Sequence, residues 1–237
     1  MTQRTTSEGA RLQSLTGSVF HFIGQNSIIL LFIALLVFGA IASPYFLKPR
    51  NIEGLARNLP VIGLLAIGMT FVILTAGIDL SVGSVLSLVA VVASYHLAHG
   101  GAVVSTILLG LLIGLAVGVM NGLLITKGRL EPFIATLATQ SIVGGVALTF
   151  TDGQTLSIGN SQQALAYATI APGNILAIPT PMVIFICIFV VGLFIAHYTQ
   201  IGRNVYAVGS NQEAARLAGV RVNQAKVAVY VISGVLA

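Results

Sequence analysis

Apolar runs long enough to cross a bilayer recur along almost the whole of this 237-residue chain, and no other feature constrains its fold so tightly. A helix needs about 17 to 25 predominantly apolar residues to span the hydrocarbon core. Stretches 27–46, 60–76, 80–98, 101–126, 132–150 and 181–198 come near that length, and a further run opens at Val227. Hydrocarbon offers no hydrogen bonds, so each segment must satisfy its own N–H and C=O groups, which a helix does. Only 7% of the residues are charged and the mean hydropathy is +0.99, against roughly a quarter charged in soluble domains. The expected fold is all-α, a polytopic integral membrane helical bundle in a lipid bilayer.

The formal net charge of +5 then speaks of topology, and no nucleic acid partner is expected. Lys and Arg concentrate in cytoplasmic loops. With the amino terminus inside and one crossing per run, Arg4, Arg11, Lys127, Arg129, Arg203, Arg216, Arg221 and Lys226 fall inside, and only Lys48, Arg50 and Arg57 outside. Residues 1–26 are thus expected to be a cytoplasmic tail and 27–237 the membrane domain, with 151–180 an external loop and 199–226 a cytoplasmic one. Ala40 and Ala42 resemble a signal-cleavage site, but the long polar leader and the later spans argue against cleavage. Residues 227–237 are too few to cross at 1.5 Å per residue, so the last span is expected to continue beyond Ala237.

Catalytic and metal chemistry find little to work with. The single cysteine, Cys187, allows no intrachain disulfide and no cysteine cluster. A Walker-type phosphate loop and an H-E-x-x-H helix are absent from the sequence. His96 and His99 sit at a span end and read as interfacial, and His21 and His197 are isolated, so no metal site is expected.

Within the apolar runs the stretch "ILTAGIDLSVGSV", residues 73–85, stands out for its carboxylate. A charge at bilayer depth costs about 2.5 to 3.5 kcal/mol on insertion scales and needs a partner, a wet cavity or a task. Gly77 is suited to end one helix in a left-handed conformation and Asp79 to cap the next, with Ser81 and Gly83 easing the first turn. The stretch is either a tight turn between spans or a break inside the membrane, and Asp79 either a cap or a substrate contact. An ion-coupled carrier using Asp79 is the alternative from another class. Upstream, Asn51 is placed to cap a short helix and Pro60 to begin a new span. Gly110, Gly114, Gly118 and Gly122 recur every four residues and line one helix face, where they favour close helix packing.

The loop at 199–226 has its own pattern. Ser210 and Glu213 have capping-box spacing, Ala214, Ala215 and Leu217 favour helix, and Gly219 is placed to stop it. One or two exposed turns are expected, with Leu217 and Val220 projecting beside Arg216 and Arg221. Short helices with apolar anchors fit a partner's groove.

Taken in order, "LTAGIDLSVGS", "EPFIATLAT" at 131–139 and "GRNVYAVGSNQEAARLAGVRV" at 202–222, followed by Lys226, Tyr230, Ser233 and Gly234, resemble the membrane permease subunit of ribose, xylose and arabinose-type ATP-binding-cassette importers. The likeness runs from about residue 50 to the end. It implies a bacterial inner-membrane protein translocating a monosaccharide, with autoinducers, nucleosides or branched-chain amino acids as other cargoes of similar permeases. It also implies a second permease copy or paralogue, an external sugar-binding protein, and a cytoplasmic ATPase that holds the ATP and magnesium. This chain is then no enzyme and binds no cofactor itself. Residues 211–220 correspond to the loop that docks on the ATPase, which makes Ser210, Asn211, Glu213, Ala215, Arg216, Leu217, Gly219 and Val220 the docking candidates; Gly77, Asp79, Ser81 and Gly83, read from their own chemistry, stay the candidates for a helix break beside the substrate pathway. Ala138 and Ser210 stand where the family often has glycine and Ala218 where it often has serine.

Overall fold

The computed structural model describes residues 27–154, 156, 162, 165–167, 173–175 and 178–237. The expected tail at 1–26 and much of the expected loop at 151–180 lie outside the described residues. Helices dominate, and the chain divides into two units, Met1–Leu55 and Ala56–Ala237.

In the first unit α1 (Ser27–Ala42) has no buried residue, and residues 43–48 turn the chain. Gly39 leaves room there for the Phe46 ring, which would lie 2.8 Å from an added Cβ. Helix α2 (Pro49–Leu74) contains the boundary between the units. Its start falls at Pro49, where a missing N–H costs nothing, and not at the expected Asn51, whose side-chain amide donates to the Phe46 carbonyl at 2.7 Å. Pro60 does not begin a helix either. It is buried inside α2, as membrane helices allow when neighbours re-satisfy the freed backbone groups.

The second unit continues with α3 (Val82–Ala98), α4 (Val103–Thr126) and α5 (Pro132–Phe150). A two-residue pair, β1 (Asn174–Ile175) and β2 (Ile178–Pro179), runs antiparallel before α6 (Thr180–Tyr198). Arg57 of α2 donates to Asn174 at 3.0 Å and ties this pair to the bundle. Then come α7 (Gln200–Ser210), α8 (Gln212–Leu217) and α9 (Val222–Leu236). Four of these helices, α2, α4, α5 and α6, are long and apolar enough to cross a membrane. No residue of α6 is buried, and Phe189, Val190 and Phe194 are exposed, as befits a helix whose solvent is lipid.

The packing centre is the pair α4 and α9. Cβ atoms added at Gly114, Gly118 and Gly122 would meet the backbone of Gly234, Tyr230 and Val227 in turn. Rising numbers on one helix against falling numbers on the other make the pair antiparallel. Gly110 faces the Val89 side chain of α3 instead. Glycines at this spacing let two helix axes approach until backbones touch, which is how helices associate where hydrophobic burial offers no gain. Phe71, Val72, Ile125, Val205, Val229 and Tyr230 complete a buried cluster beside them.

Antiparallel pairing also sets one end of the unit apart. The last turn of α4 and the first turn of α9 lie together, so Lys127, Arg129, Arg221 and Lys226 gather there, with α7 and α8 carrying Arg203 and Arg216. We call this the basic end.

Candidate functional site: a buried carboxylate and a capped surface helix

Helix α2 stops before the carboxylate stretch through a closing pattern of backbone bonds. The Ala76 N–H donates to the Ile73 carbonyl at 2.9 Å and the Gly77 N–H to the Val72 carbonyl at 3.1 Å. This is a Schellman ending, whose left-handed residue is usually glycine. Here that residue is Ala76, at φ 57°, and not the expected Gly77. Gly77 is needed one position later for space, because a Cβ there would sit 2.7 Å from the Tyr230 hydroxyl and 3.1 Å from a Val72 methyl. Close approach of α9 thus decides where the glycine goes, and Ala76 carries the backbone strain.

Asp79 follows, 1% exposed. Its Oδ1 accepts from the Ser81 N–H at 3.0 Å and from Ser81 Oγ at 2.6 Å, and its Oδ2 accepts from Ser233 Oγ at 2.9 Å. Asn121 Nδ2 donates to Ser81 Oγ at 2.8 Å, and Thr139 Oγ1 donates to Asn121 Oδ1 at 2.7 Å. Ser81 and, from α9, Ser233 thus bond the carboxylate directly, while Asn121 of α4 and Thr139 of α5 reach it through Ser81. Beside it the Ile78 carbonyl accepts from the Tyr230 hydroxyl at 3.2 Å and from Thr136 Oγ1 at 3.4 Å. Among the described residues no buried side-chain nitrogen or oxygen lacks a partner.

The residue capping α3 is Ser81, whose own side chain makes no capping bond. Asp79 acts two residues upstream, bracing Ser81 and placing negative charge near the amino-terminal end of α3, where the helix dipole favours it. Hydrogen bonds to a charged group contribute about 1.5 to 3 kcal/mol each, and Asp79 accepts three. That sum outweighs the roughly 2.5 to 3.5 kcal/mol cost of the charge at bilayer depth. Gly83 leaves an open position, with nothing within 4 Å of an added Cβ.

The break is recessed from the basic end. Asn121 and Thr139 stand five and seven residues from the α4 and α5 ends that meet there, or about 8 to 10 Å at 1.5 Å per residue. The stretch is therefore a turn set inside the bundle and held by three other helices.

At the basic end itself, α8 is capped by Asn211, whose Oδ1 accepts from the Ala214 N–H at 2.9 Å. The expected box on Ser210 is displaced by one residue because α7 extends through Ser210. Gly219 at φ 83° ends α8, with its N–H donating to the Arg216 carbonyl and the Val220 N–H to that of Ala215. Val220 does not project; it packs against a buried cluster of Val208, Ala215, Val222 and Ala225 that joins α7, α8 and α9. Leu217 is left 88% exposed, beside an exposed Arg216–Glu213 ion pair at 2.9 Å. Such a pair contributes little to stability. Replacing Asn211 by Ala is expected to destabilise α8 by about 1 kcal/mol, read as faster amide exchange at Ala214 and Ala215 with α9 unchanged. Equal exchange in both proteins would remove the capping role.

Residues 51–237 match the family described as "Branched-chain amino acid transport system / permease component". The chain is 41% identical over 208 residues to the ribose import permease protein of Haemophilus influenzae, covering 86% of this chain and 64% of the relative. It is 42% identical over 203 residues to the ribose import permease protein of Bacillus subtilis, covering 85% and 62%. It is 37% identical to the L-arabinose ABC transporter permease protein of Azospirillum brasilense, covering 93% and 64%. The chain thus spans just under two thirds of the length of these relatives. No solved structure matches it significantly.

Proposed function

This chain belongs to the permease-component family of transport systems, and we propose on that premise that it is the membrane subunit of an ATP-driven bacterial importer for a monosaccharide. The observation that carries the cargo class is the identity of 41% and 42% to two ribose import permeases. An external binding protein would deliver the sugar, a second permease subunit would complete the pathway, and ATP with magnesium would be hydrolysed on a separate cytoplasmic subunit. The basic end would then face the cytoplasm, in keeping with the distribution of Lys and Arg.

Helix α8 is the docking element in this reading. Leu217, Arg216 and Glu213 form its contact surface, while Asn211, Ala215, Gly219 and Val220 hold its shape. Movement of α8 would carry into α9 through the shared apolar cluster, and from α9 into the break through Tyr230 and Ser233. Transport driven this way needs two states with different affinity for the partners. An ion-coupled carrier working through Asp79 draws no support from a buried carboxylate already held by three protein donors.

Placing Asp at Leu217 sets a charge where the docking contact needs an apolar anchor. Leu217→Asp in the full-length protein is expected to abolish sugar uptake while insertion and folding stay normal, since Leu217 packs against little. Unchanged uptake would remove the docking assignment. The wider test is a mild-detergent pull-down from the native membrane followed by uptake assays with ribose, arabinose, xylose and leucine. Recovery of an ATPase and sugar uptake support the proposal; leucine uptake alone would move the cargo to branched-chain amino acids.

A further inference from the structure

Between α3 and α5 runs a groove of about 640 Å³, within the roughly 300 to 1,000 Å³ of ordinary ligand sites. Its lining differs from that of the apolar cleft among α2, α6 and α9, where Ile67, Phe71 and Val191 present only hydrocarbon. Ser84, Ser87 and Ser94 line the α3 side, and Gln140, Gly144 and Thr151 the α5 side. Among the described residues that line it, none is charged or aromatic.

A face of this kind is costly against lipid. Ser87 Oγ donates to the Gly83 carbonyl at 2.9 Å and Ser84 Oγ to the Ser81 carbonyl at 2.8 Å, leaving both oxygens free to accept further bonds. The exposed Gln140 amide bonds to no described residue. An amide moved from water into hydrocarbon without a partner costs about 2 to 7 kcal/mol. The groove therefore needs water or a hydrogen-bonding occupant. At one end Gly83 and Ser84 line the groove, and the Ser84 hydroxyl bonds to the Ser81 carbonyl, so the groove begins beside the buried Asp79 break.

We infer that the α3–α5 groove is the wall along which a neutral, polyhydroxylated solute passes, with Ser87, Ser94 and Gln140 exchanging hydrogen bonds with its hydroxyls. Hydroxyls and an amide both donate and accept, which matches vicinal alcohols. They offer no counter-charge for the ammonium or carboxylate of an amino acid. This inference rests on reading the chain as an importer permease and names the surface its cargo uses.

The test uses the full-length protein in its native membrane with Cys187→Ala, and Ser87→Cys, Ser94→Cys or Gln140→Cys introduced singly. A charged thiosulfonate reagent, which does not enter hydrocarbon, is expected to label all three at least about tenfold faster than Val190→Cys on the lipid-exposed α6. The sugar that competes best in uptake should slow that labelling. Ser87→Trp is expected to abolish uptake while the pull-down still recovers the partners. Labelling no faster than at Val190→Cys, with sugar uptake intact, overturns the groove and leaves the importer reading standing. Spontaneous disulfide cross-linking of Gln140→Cys between copies, without reagent labelling, also overturns it and makes the groove a contact between permease copies. Absence of both ATPase recovery and sugar uptake in the unaltered protein would instead count against the importer reading.

Discussion

Gly118→Leu is expected to leave little folded protein in the membrane, and Gly145→Leu to leave the protein as it is. A Cβ at position 118 would lie 2.5 Å from the Tyr230 carbonyl oxygen and 2.8 Å from the Val231 Cα. Those atoms are backbone, so no rotamer change makes room and α4 must move away from α9. The same separation pulls Tyr230 from the Ile78 carbonyl and Ser233 from Asp79, and polar bonds are lost along with the packing. Overfilling a packed core costs about 1 to 3 kcal/mol, occasionally more, and a backbone clash belongs at the upper end. For a chain of this size each kcal/mol lowers the melting temperature by about 2 to 4 °C, so a fall of about 10 °C or outright failure to accumulate is expected. Gly118→Ala should give a smaller fall. Gly145 has nothing within 4 Å of an added Cβ, so its Leu variant controls for added bulk alone. Thermal unfolding in detergent reads the series, and a Gly118→Leu protein melting with the parent would mean the α4–α9 interface is not as described.

The glycine periodicity on α4 was readable because a repeat of four marks one helix face whatever it meets. What it meets was not readable: Gly110 turns to a side chain and the other three to backbone, and only the path of α9 distinguishes them. The same holds at the break. Its place followed from a carboxylate between apolar runs, but the choice of Ala76 over Gly77 as the left-handed residue depends on the Tyr230 hydroxyl, more than 150 positions away. Asn121 and Thr139 are polar residues within apolar spans, a signal that each requires a partner, yet spacing along one helix does not say which. Ser233 and Tyr230 stood out only through the family likeness. At α8 the stopping glycine was legible from local chemistry, while the cap moved from Ser210 to Asn211 because α7 continues through Ser210 and takes that residue into its own last turn. Pro60 misled for a related reason: a proline marks a helix start only when no neighbouring helix supports the bond it breaks.

Replacing Asp79 should separate the need for its shape from the need for its charge. In Asp79→Asn the side-chain oxygen can stay where Oδ1 is and keep both donors from Ser81, while the amide nitrogen faces Ser233 Oγ. A serine hydroxyl accepts as readily as it donates, so Ser233 turns and all three contacts survive. The bonds lose their charge assistance, falling from about 1.5 to 3 kcal/mol each towards about 0.5 to 1.5, and the variant no longer carries a charge into the bilayer, which returns about 2.5 to 3.5 kcal/mol. These terms are of similar size, so Asp79→Asn is expected to melt near the parent and to keep most of its uptake. Asp79→Leu has no such compensation. It leaves the buried Ser81 N–H without an acceptor, at about 1 to 3 kcal/mol, releases the Asn121–Thr139 chain from its anchor and crowds the site with a branched side chain. Loss of folded protein is the expected result there, and Ser233→Ala, which removes one donor from Oδ2, should fall between the two. If instead Asp79→Asn melts with the parent but carries no solute, bracing of the break is not the whole task of the residue. Its negative charge would then be needed during transport, and uptake by the parent should be measured against membrane potential and proton gradient.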